Sequence, residues 1–128
     1  MRLFLIFIFA LTSFNAFSQT ISSYDCKFTS VLSNDRFEEN ITLSNQAPVA
    51  LRKVMAGKKH FFDFQMFKDG RGIQFFQYME GIIDGNDVYY PQGSVTTHLM
   101  PDQESIYLGA YICGSDTTCW ALDCQLNK

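Results

Sequence analysis

The sequence has no excess of positive charge and no apolar run long enough to span a bilayer. Its 128 residues contain 10 Lys and Arg against 13 Asp and Glu, which gives a formal net charge of −3. This balance excludes a broadly basic nucleic-acid-binding protein, which would need a cationic track for phosphates. The N-terminal apolar run covers only residues 3–11, whereas a transmembrane helix needs about 20 apolar residues. Because 47% of the residues are hydrophobic and 16% are aromatic, the composition also excludes an intrinsically disordered chain.

Motifs for metal binding and for nucleophilic catalysis are missing as well. A zinc site is typically built from CxxC pairs or from CxxC with HxxxH, and the four cysteines and two isolated histidines match neither pattern. The serine motif GxSxG is absent, since Ser94 directly follows Gly93. Residues 84–87 (DGND) lack the later glycine and glutamate of an EF-hand loop and are interpreted as a hairpin turn. We therefore expect no metal ion and no cofactor.

The N-terminal segment has the features of a secretory signal peptide. A positive start is followed by the apolar residues 3–11, and Ala16 and Ser18 are the small residues of a cleavage site. We expect residues 1–18 to be the leader and residues 19–128 to be one mature domain, because no repeat or linker divides them. The expected location is secreted or periplasmic.

Four cysteines in an exported domain predict two disulfides. Cys26 and Cys124 lie on the apolar faces of the first and last predicted strands. Cys113 and Cys119 flank a turn near the C-terminus. We predict the bonds Cys26–Cys124 and Cys113–Cys119, while a bond between Cys119 and Cys124 is an alternative that requires a bend in one strand.

The C-terminal hairpin supports this pairing. With Cys113 opposite Cys119, the opposed residues on one face are all apolar, and a slip of one residue would break that agreement. The predicted pairs are Ile112–Trp120, Ala110–Leu122, Leu108–Cys124 and Ile106–Leu126.

Apolar and polar residues alternate with a period of two along most of the chain, as at Phe37, Ile41 and Leu43. Turn-forming segments rich in Gly, Asn, Asp and Pro separate these runs. We predict an all-β fold, an antiparallel meander of about eight strands that closes into a small barrel or sandwich. Residues 48–56 (PVALRKVMA) have two interpretations: a strand, which the neighbouring strands favour, or one short helix that ends at Gly57.

The best candidate binding surface lies on a central aromatic hairpin. Asp69-Gly70 is typical of a two-residue type I′ turn, and the register it predicts brings aromatic rings, a carboxylate and carboxamides onto one face. Such a face could recognise a side chain or a sugar, although it could also be an ordinary sheet face covered by the rest of the protein. The candidate ligand-binding residues are Phe61, Asp63, Gln65, Gln74, Phe76 and Tyr78.

Two further patterns have simpler interpretations. Five basic-type residues between positions 52 and 60 are interpreted as a solvated turn region, although an anionic partner could use them: Arg52, Lys53, Lys58, Lys59 and His60. Asn40-Ile41-Thr42 is a glycosylation sequon, which acts only in a host that glycosylates exported proteins.

From these features we expect an exported binding protein with a protein or glycan ligand and without catalytic activity. We expect no nucleic-acid partner and no membrane span in the mature chain. One alternative is a small hydrolase that uses Asp63 or Glu80, which the predicted register places on a common face. The other is a structural component of an envelope.

Overall fold

The computed structural model describes residues 23–85, 88–101, 103–110 and 118–127. These residues form eight β-strands and no helix, so they include no helix that could cross a membrane. The predicted all-β fold is confirmed. The strands are β1 (Ser23–Leu32), β2 (Asp35–Ser44), β3 (Val49–Met55), β4 (Lys58–Lys68), β5 (Gln74–Asp84), β6 (Val88–Leu99), β7 (Ser105–Ala110) and β8 (Cys119–Leu126).

The segment for which a helix was the alternative is strand β3. Val49, Leu51 and Lys53 of this strand pair with β4 on the half-buried side, and the residues between them are exposed. A period of two therefore overrides the helix propensity of this segment. The predicted leader (residues 1–18), Cys113 and part of the predicted turn (residues 86–87) lie outside the described residues.

The strands form two antiparallel four-stranded sheets that pack as a sandwich. Sheet A has the strand order β2-β1-β8-β7, and sheet B has the order β3-β4-β5-β6. The core lies between them, where the ring of Phe28 from β1 meets Phe62 and Phe64 from β4 at centroid distances of 5.2 and 4.9 Å. Sheet B therefore has one face in the core and one face turned outward.

Alternation along the strands explains this packing. In β1, every second residue is buried against sheet B: Tyr24, Cys26, Phe28, Ser30 and Leu32. The residues between them are exposed or half-buried. The face predicted for β2 is likewise turned inward, with Ile41 and Leu43 buried.

The predicted bond between Cys26 and Cys124 is present. The two residues are directly opposed in the β1–β8 pair, at 4% and 0% exposure, and the bond joins positions 98 residues apart. The same strand pair brings the first and last described residues together: the Asn127 backbone N–H donates to the Ser23 carbonyl over 2.8 Å. Cys119 is disulfide-bonded too, and its predicted partner Cys113 is outside the described residues.

The register predicted for the C-terminal hairpin is wrong by two residues, although its faces are correct. Leu122 pairs with Leu108 and not with Ala110, and Cys124 pairs with Ile106. The physical reason is that side chains alternate with a period of two, so a slip of two residues leaves each one on the same face. The apolar pattern alone could not distinguish these two registers.

The register predicted for the central hairpin is wrong by an odd number of residues, which inverts one strand. Phe64 pairs with Tyr78, and Lys68 with Gln74, so the connection spans residues 69–73 and is not a two-residue turn. The Asp69 carboxylate organises this longer loop by accepting hydrogen bonds from two backbone N–H groups, those of residues 71 and 73. As a consequence, the even-numbered residues of β5 face the core.

Candidate functional site

The outward side of sheet B, which we call the outer face, contains the candidate site. The odd-numbered residues of β4 and β5 point outward there, because their even-numbered neighbours, such as Phe62 and Phe76, fill the core. Across the sheet, Asp63 stands between Ala50 of β3 and Met79 of β5. The outer face is therefore a mixed polar and apolar surface.

The structure brings together only three of the six predicted ligand-binding residues. Phe61, Asp63 and Gln65 lie on the outer face. Phe76 and Tyr78 face the core at 0% and 1% exposure, so the face predicted for them is wrong. The odd register shift described above is the physical reason, because it turns every side chain of β5 to the other side.

Gln74, the sixth predicted residue, is the first residue of β5 and is separated from the three candidates on the outer face. It pairs with Lys68 and with Leu99 at the end of the sheet. Its side-chain Nε2 is buried and has no hydrogen-bond partner among the described residues. It belongs to the side of β5 that faces the core.

The centre of the outer face is an ion pair over an aromatic ring. Arg52 Nη1 lies 2.7 Å from Asp63 Oδ1, and the Arg52 guanidinium carbon lies 5.4 Å from the Phe61 ring centroid. The other side of the ring rests on Gly81, which has no side chain, so Phe61 is only 7% exposed. An ion pair this exposed contributes at most about 1 kcal/mol. Its main effect is to fix the position of two charged groups.

Two grooves flank this ion pair and share Arg52, Asp63 and Met79 in their walls. The large groove has a volume of about 610 Å³ and extends over Phe61 toward strand β6. The small groove has a volume of about 260 Å³ and extends toward Gln65. Met79, which is 41% exposed, stands between them and offers an apolar contact.

A row of three rings crosses the outer face near the central turn. The centroids of Phe67 and Phe75 are 5.5 Å apart, and those of Phe75 and His98 are 5.7 Å apart. Both phenylalanines are half-buried and His98 is exposed. This row borders the polar residues Gln65 and Gln77, which pair with each other across β4 and β5.

A buried hydrogen-bond network lies behind the large groove. Glu80 Oε2 accepts hydrogen bonds from the Tyr78 hydroxyl over 2.5 Å and from Thr118 Oγ1 over 2.6 Å. Burial, followed by the charge of Glu80 and the hydrogen bond to it, raises the pKa of Tyr78. The Tyr78 ring also contacts Trp120, with centroids 4.1 Å apart.

Asp63 and Glu80 lie on opposite faces of sheet B, so the prediction that they share a face is wrong. Asp63 is on the outer face, whereas Glu80 is 6% exposed and has the same orientation as Tyr78. The role of Glu80 in the network could not be read from the sequence, because Thr118 is 38 residues away from it.

The basic residues at positions 52–60 do not form one cationic patch. Arg52 pairs with Asp63 on the outer face, while Lys53 Nζ lies 2.9 Å from Glu39 Oε2. His60 is buried, and desolvation lowers its pKa below the ordinary value.

The burial of His60 gives stability a dependence on pH. Its pKa in the folded protein is below 6.5, mainly because of desolvation, so in mild acid the unfolded chain takes up a proton that the folded protein does not. We expect the free energy of unfolding to fall as the pH is lowered through about 6.5. The variant His60→Gln should show a smaller decrease between pH 7.5 and 5.0 in urea unfolding experiments. The matched control His98→Gln, at an exposed position, should lose as much stability between these pH values as the wild type does. If stability decreased equally in both variants, His60 would not be the source of the pH dependence.

In comparisons with protein-family models, curated proteins and solved structures, no match to this chain was found. Within the described ranges, no three His, Cys, Asp or Glu side chains are grouped so that they could hold a metal ion. The structure itself shows a disulfide-linked β-sandwich with grooves on the outer face of one sheet.

Proposed function

We propose that this chain is an exported binding protein without catalytic activity, and that it binds a protein ligand on the outer face of sheet B. The observation that carries the proposal is the pair of grooves around the Arg52–Asp63 ion pair, with the exposed side chain of Met79 between them. Concave surfaces with an apolar contact and a few fixed polar groups are typical of binding sites. Methionine and arginine are both enriched at protein interfaces.

The aromatic geometry favours a protein ligand over a glycan. A sugar stacks on a ring whose face is open to solvent, but the Phe61 ring lies between Arg52 and Gly81. The rings of Phe76 and Tyr78 are in the core. Around the Arg52–Asp63 ion pair, the groove walls are formed by polar groups and the flexible side chain of Met79, which suit an amino-acid side chain better than a pyranose ring.

Two features support the other parts of the proposal, namely export and the absence of catalysis. The buried Cys26–Cys124 disulfide supports an oxidising compartment, and hence export, because such bonds persist mainly outside the cytosol. What weighs against the hydrolase alternative is the position of its two carboxylates, since Asp63 pairs with Arg52 while Glu80 lies on the other face.

We expect Met79→Ala and Arg52→Ala each to weaken ligand binding by about 5- to 30-fold, as for truncation of an interface residue worth about 1–2 kcal/mol. The immobilised, oxidised domain (residues 19–128) would capture ligands from secretions of the host, and calorimetry would then give the affinity of the protein identified by mass spectrometry. The matched control is Tyr107→Ala, which truncates a large exposed side chain on sheet A.

The control should bind as tightly as the wild-type domain. Equal affinity of the Met79 and Arg52 variants would refute the outer face as the binding site. If the wild-type domain instead captured a polysaccharide, the choice of a protein ligand would be wrong.

A further inference from the structure

Sheet B ends on one side at strand β6, and the free edge of this strand has no neighbour among the described residues. The strand spans Val88–Leu99 and contains no Asp, Glu, Lys or Arg. Its residues 91–94 are all exposed, as expected at the margin of a sandwich. The backbone N–H and C=O groups along a free edge offer a template for another strand. A long edge of this kind needs either protection or a partner.

The other three sheet edges have the protection that β6 lacks. Proteins protect edge strands with charged side chains or by keeping the strands very short. Strand β2 contains four charged residues in ten, and β3 contains Arg52 and Lys53 near its centre. Strand β7 is the shortest, with six residues. Because β6 is the longest strand, with twelve residues, the largest template is the one without charges.

Proline and a β-bulge also discourage pairing at an edge, but in β6 they affect only the first half of the strand. Pro91 lies beside the register shift between Glu80 and Gly81 of β5. From Gly93 to Leu99 the pairing with β5 is regular, and no further proline follows. These residues, which we call the regular segment, can therefore pair with an antiparallel strand over their whole length.

A second copy of the chain fits this edge, because an antiparallel pair about a two-fold axis is self-complementary. When the regular segment pairs with itself over its full length, its middle residue, Thr96, lies opposite Thr96 of the second copy. Cross-strand threonine pairs stabilise a sheet, whereas like charges directly opposite each other destabilise it. Self-pairing brings identical side chains together, and the regular segment contributes no Lys, Arg, Asp or Glu that would be repelled.

The neighbours of Thr96 extend this match across sheet B. Thr96 is exposed and pairs with Gln77, which pairs in turn with Gln65 on the outer face. In a dimer this row continues through Thr96 of the second copy and the same residues in reverse order. Every side chain in the row is polar and uncharged, so nothing in it opposes the pairing.

We propose that the free edge of β6 pairs with β6 of a second copy, so that the two copies of sheet B join into one eight-stranded sheet. The assembly is closed at two copies, because the edges that remain are those of β3, which carry Arg52 and Lys53. Both outer faces lie on the same side of the joined sheet, because the two-fold axis is perpendicular to it.

The dimer has a consequence for the large groove. Residues 91–94 of β6 line this groove and also border the junction between the copies. The two large grooves therefore lie near each other on one continuous surface. The pairing itself depends only on the edge of β6 and not on the proposed function.

Sedimentation equilibrium of the intact oxidised domain tests the proposal directly. An interface made mainly by one strand edge is small, so we expect a dissociation constant between about 10 µM and 1 mM, with no species larger than the dimer. Amide hydrogen exchange provides a second readout. As the protein concentration rises, every second backbone N–H of residues 93–99 should exchange more slowly, because N–H groups alternate between the two sides of a strand.

Charge substitutions at Thr96 test the register. Thr96→Lys and Thr96→Glu each place like charges opposite each other, and each should weaken association by about 10-fold or more. An equimolar mixture of the two variants should dimerise at least as tightly as the wild type, because Lys then lies opposite Glu. The matched control is Thr42→Lys. Thr42 is likewise an exposed threonine in an edge strand, β2 of sheet A, and this variant should dimerise as the wild type does.

The proposal is overturned if the domain remains monomeric at about 1 mM, or if Thr96→Lys dimerises as tightly as Thr42→Lys. It also fails if the two charge variants associate no more tightly when mixed than either does alone. If the domain is monomeric but Thr96→Lys weakens binding of the protein ligand, the edge pairs with a strand of the ligand and a second copy is the wrong occupant. None of these results decides whether the outer face binds a ligand, which Met79→Ala tests separately.

Discussion

Replacing Cys26 and Cys124 together with alanine is expected to lower the free energy of unfolding by about 4 kcal/mol. The bond closes a loop of 98 residues, and in the chain-entropy account a loop of this size is worth about 4–5 kcal/mol because the crosslink restricts the unfolded chain. For a domain of this length, Tm should fall on the order of 15 °C. Replacing both residues avoids a free thiol that could exchange with the second disulfide.

Urea unfolding can show whether stability is lost because the crosslink is missing or because packing is worse. Without the crosslink the unfolded chain is more expanded and exposes more surface, so the m value should rise, whereas a packing defect lowers the midpoint and leaves m unchanged. The matched control is Ser30→Ala, another small buried residue on the same face of β1, which should leave m at the wild-type value. A loss of less than about 1 kcal/mol, with m unchanged, would contradict the role assigned to the bond.

Replacing Gly81 with alanine should destabilise the fold by about 3 kcal/mol, at the upper end of the usual cost of overpacking. The added Cβ would lie 2.3 Å from two ring carbons of Phe61 and 2.7 Å from the carbonyl oxygen of Tyr90. The ring is held from above by Arg52, and the carbonyl belongs to strand β6, which pairs with β5 on both sides of the irregularity between Glu80 and Gly81.

The test of this clash is a double-mutant cycle measured by urea unfolding. Phe61→Ala removes the ring, so the cost of Gly81→Ala should be smaller in that background, and the remainder would come from the Tyr90 carbonyl. Gly70→Ala serves as the control, because its Cβ meets no atom within 4 Å. If Gly81→Ala cost no more than Gly70→Ala, the ring would not be fixed between Arg52 and the backbone of β5.

The features that could be predicted from the sequence depend on alternation within a single strand. The inward side of β1, with Cys26 and Phe28, was correctly identified because its apolar residues recur at every second position. The same pattern placed Cys124 inward and so gave the bond to Cys26. For residues 48–56 the strand interpretation depends on the neighbouring strands, and strand β3 confirms it.

Pairing between strands was less predictable, because it depends on the connecting loops. In β5, Phe75 and Phe76 are adjacent, so large apolar side chains point to both sides and the pattern does not fix the face. The loop at residues 69–73 decides it through the Asp69 carboxylate, although Asp69-Gly70 resembles a shorter turn.

Only part of the candidate site could be predicted, because the site also depends on how the strands pair. Its β4 residues, such as Asp63, lie on the outer face as expected. The β5 contribution is Met79 and not Tyr78. The partners of Asp63 and Glu80, namely Arg52 and Thr118, come from other strands or segments, and alternation within one strand carries no information about them.

The hydrogen bonds between Ser23 and Asn127 have a practical consequence. The Asn127 backbone N–H and side-chain Nδ2 reach Ser23 over 2.8 and 3.2 Å. Ser23 and Asn127, at the two ends of the described domain, therefore lie side by side at one corner. The domain could be spliced into a surface loop of a carrier protein through two short junctions, without stretching either chain, which provides a display format for selecting ligands.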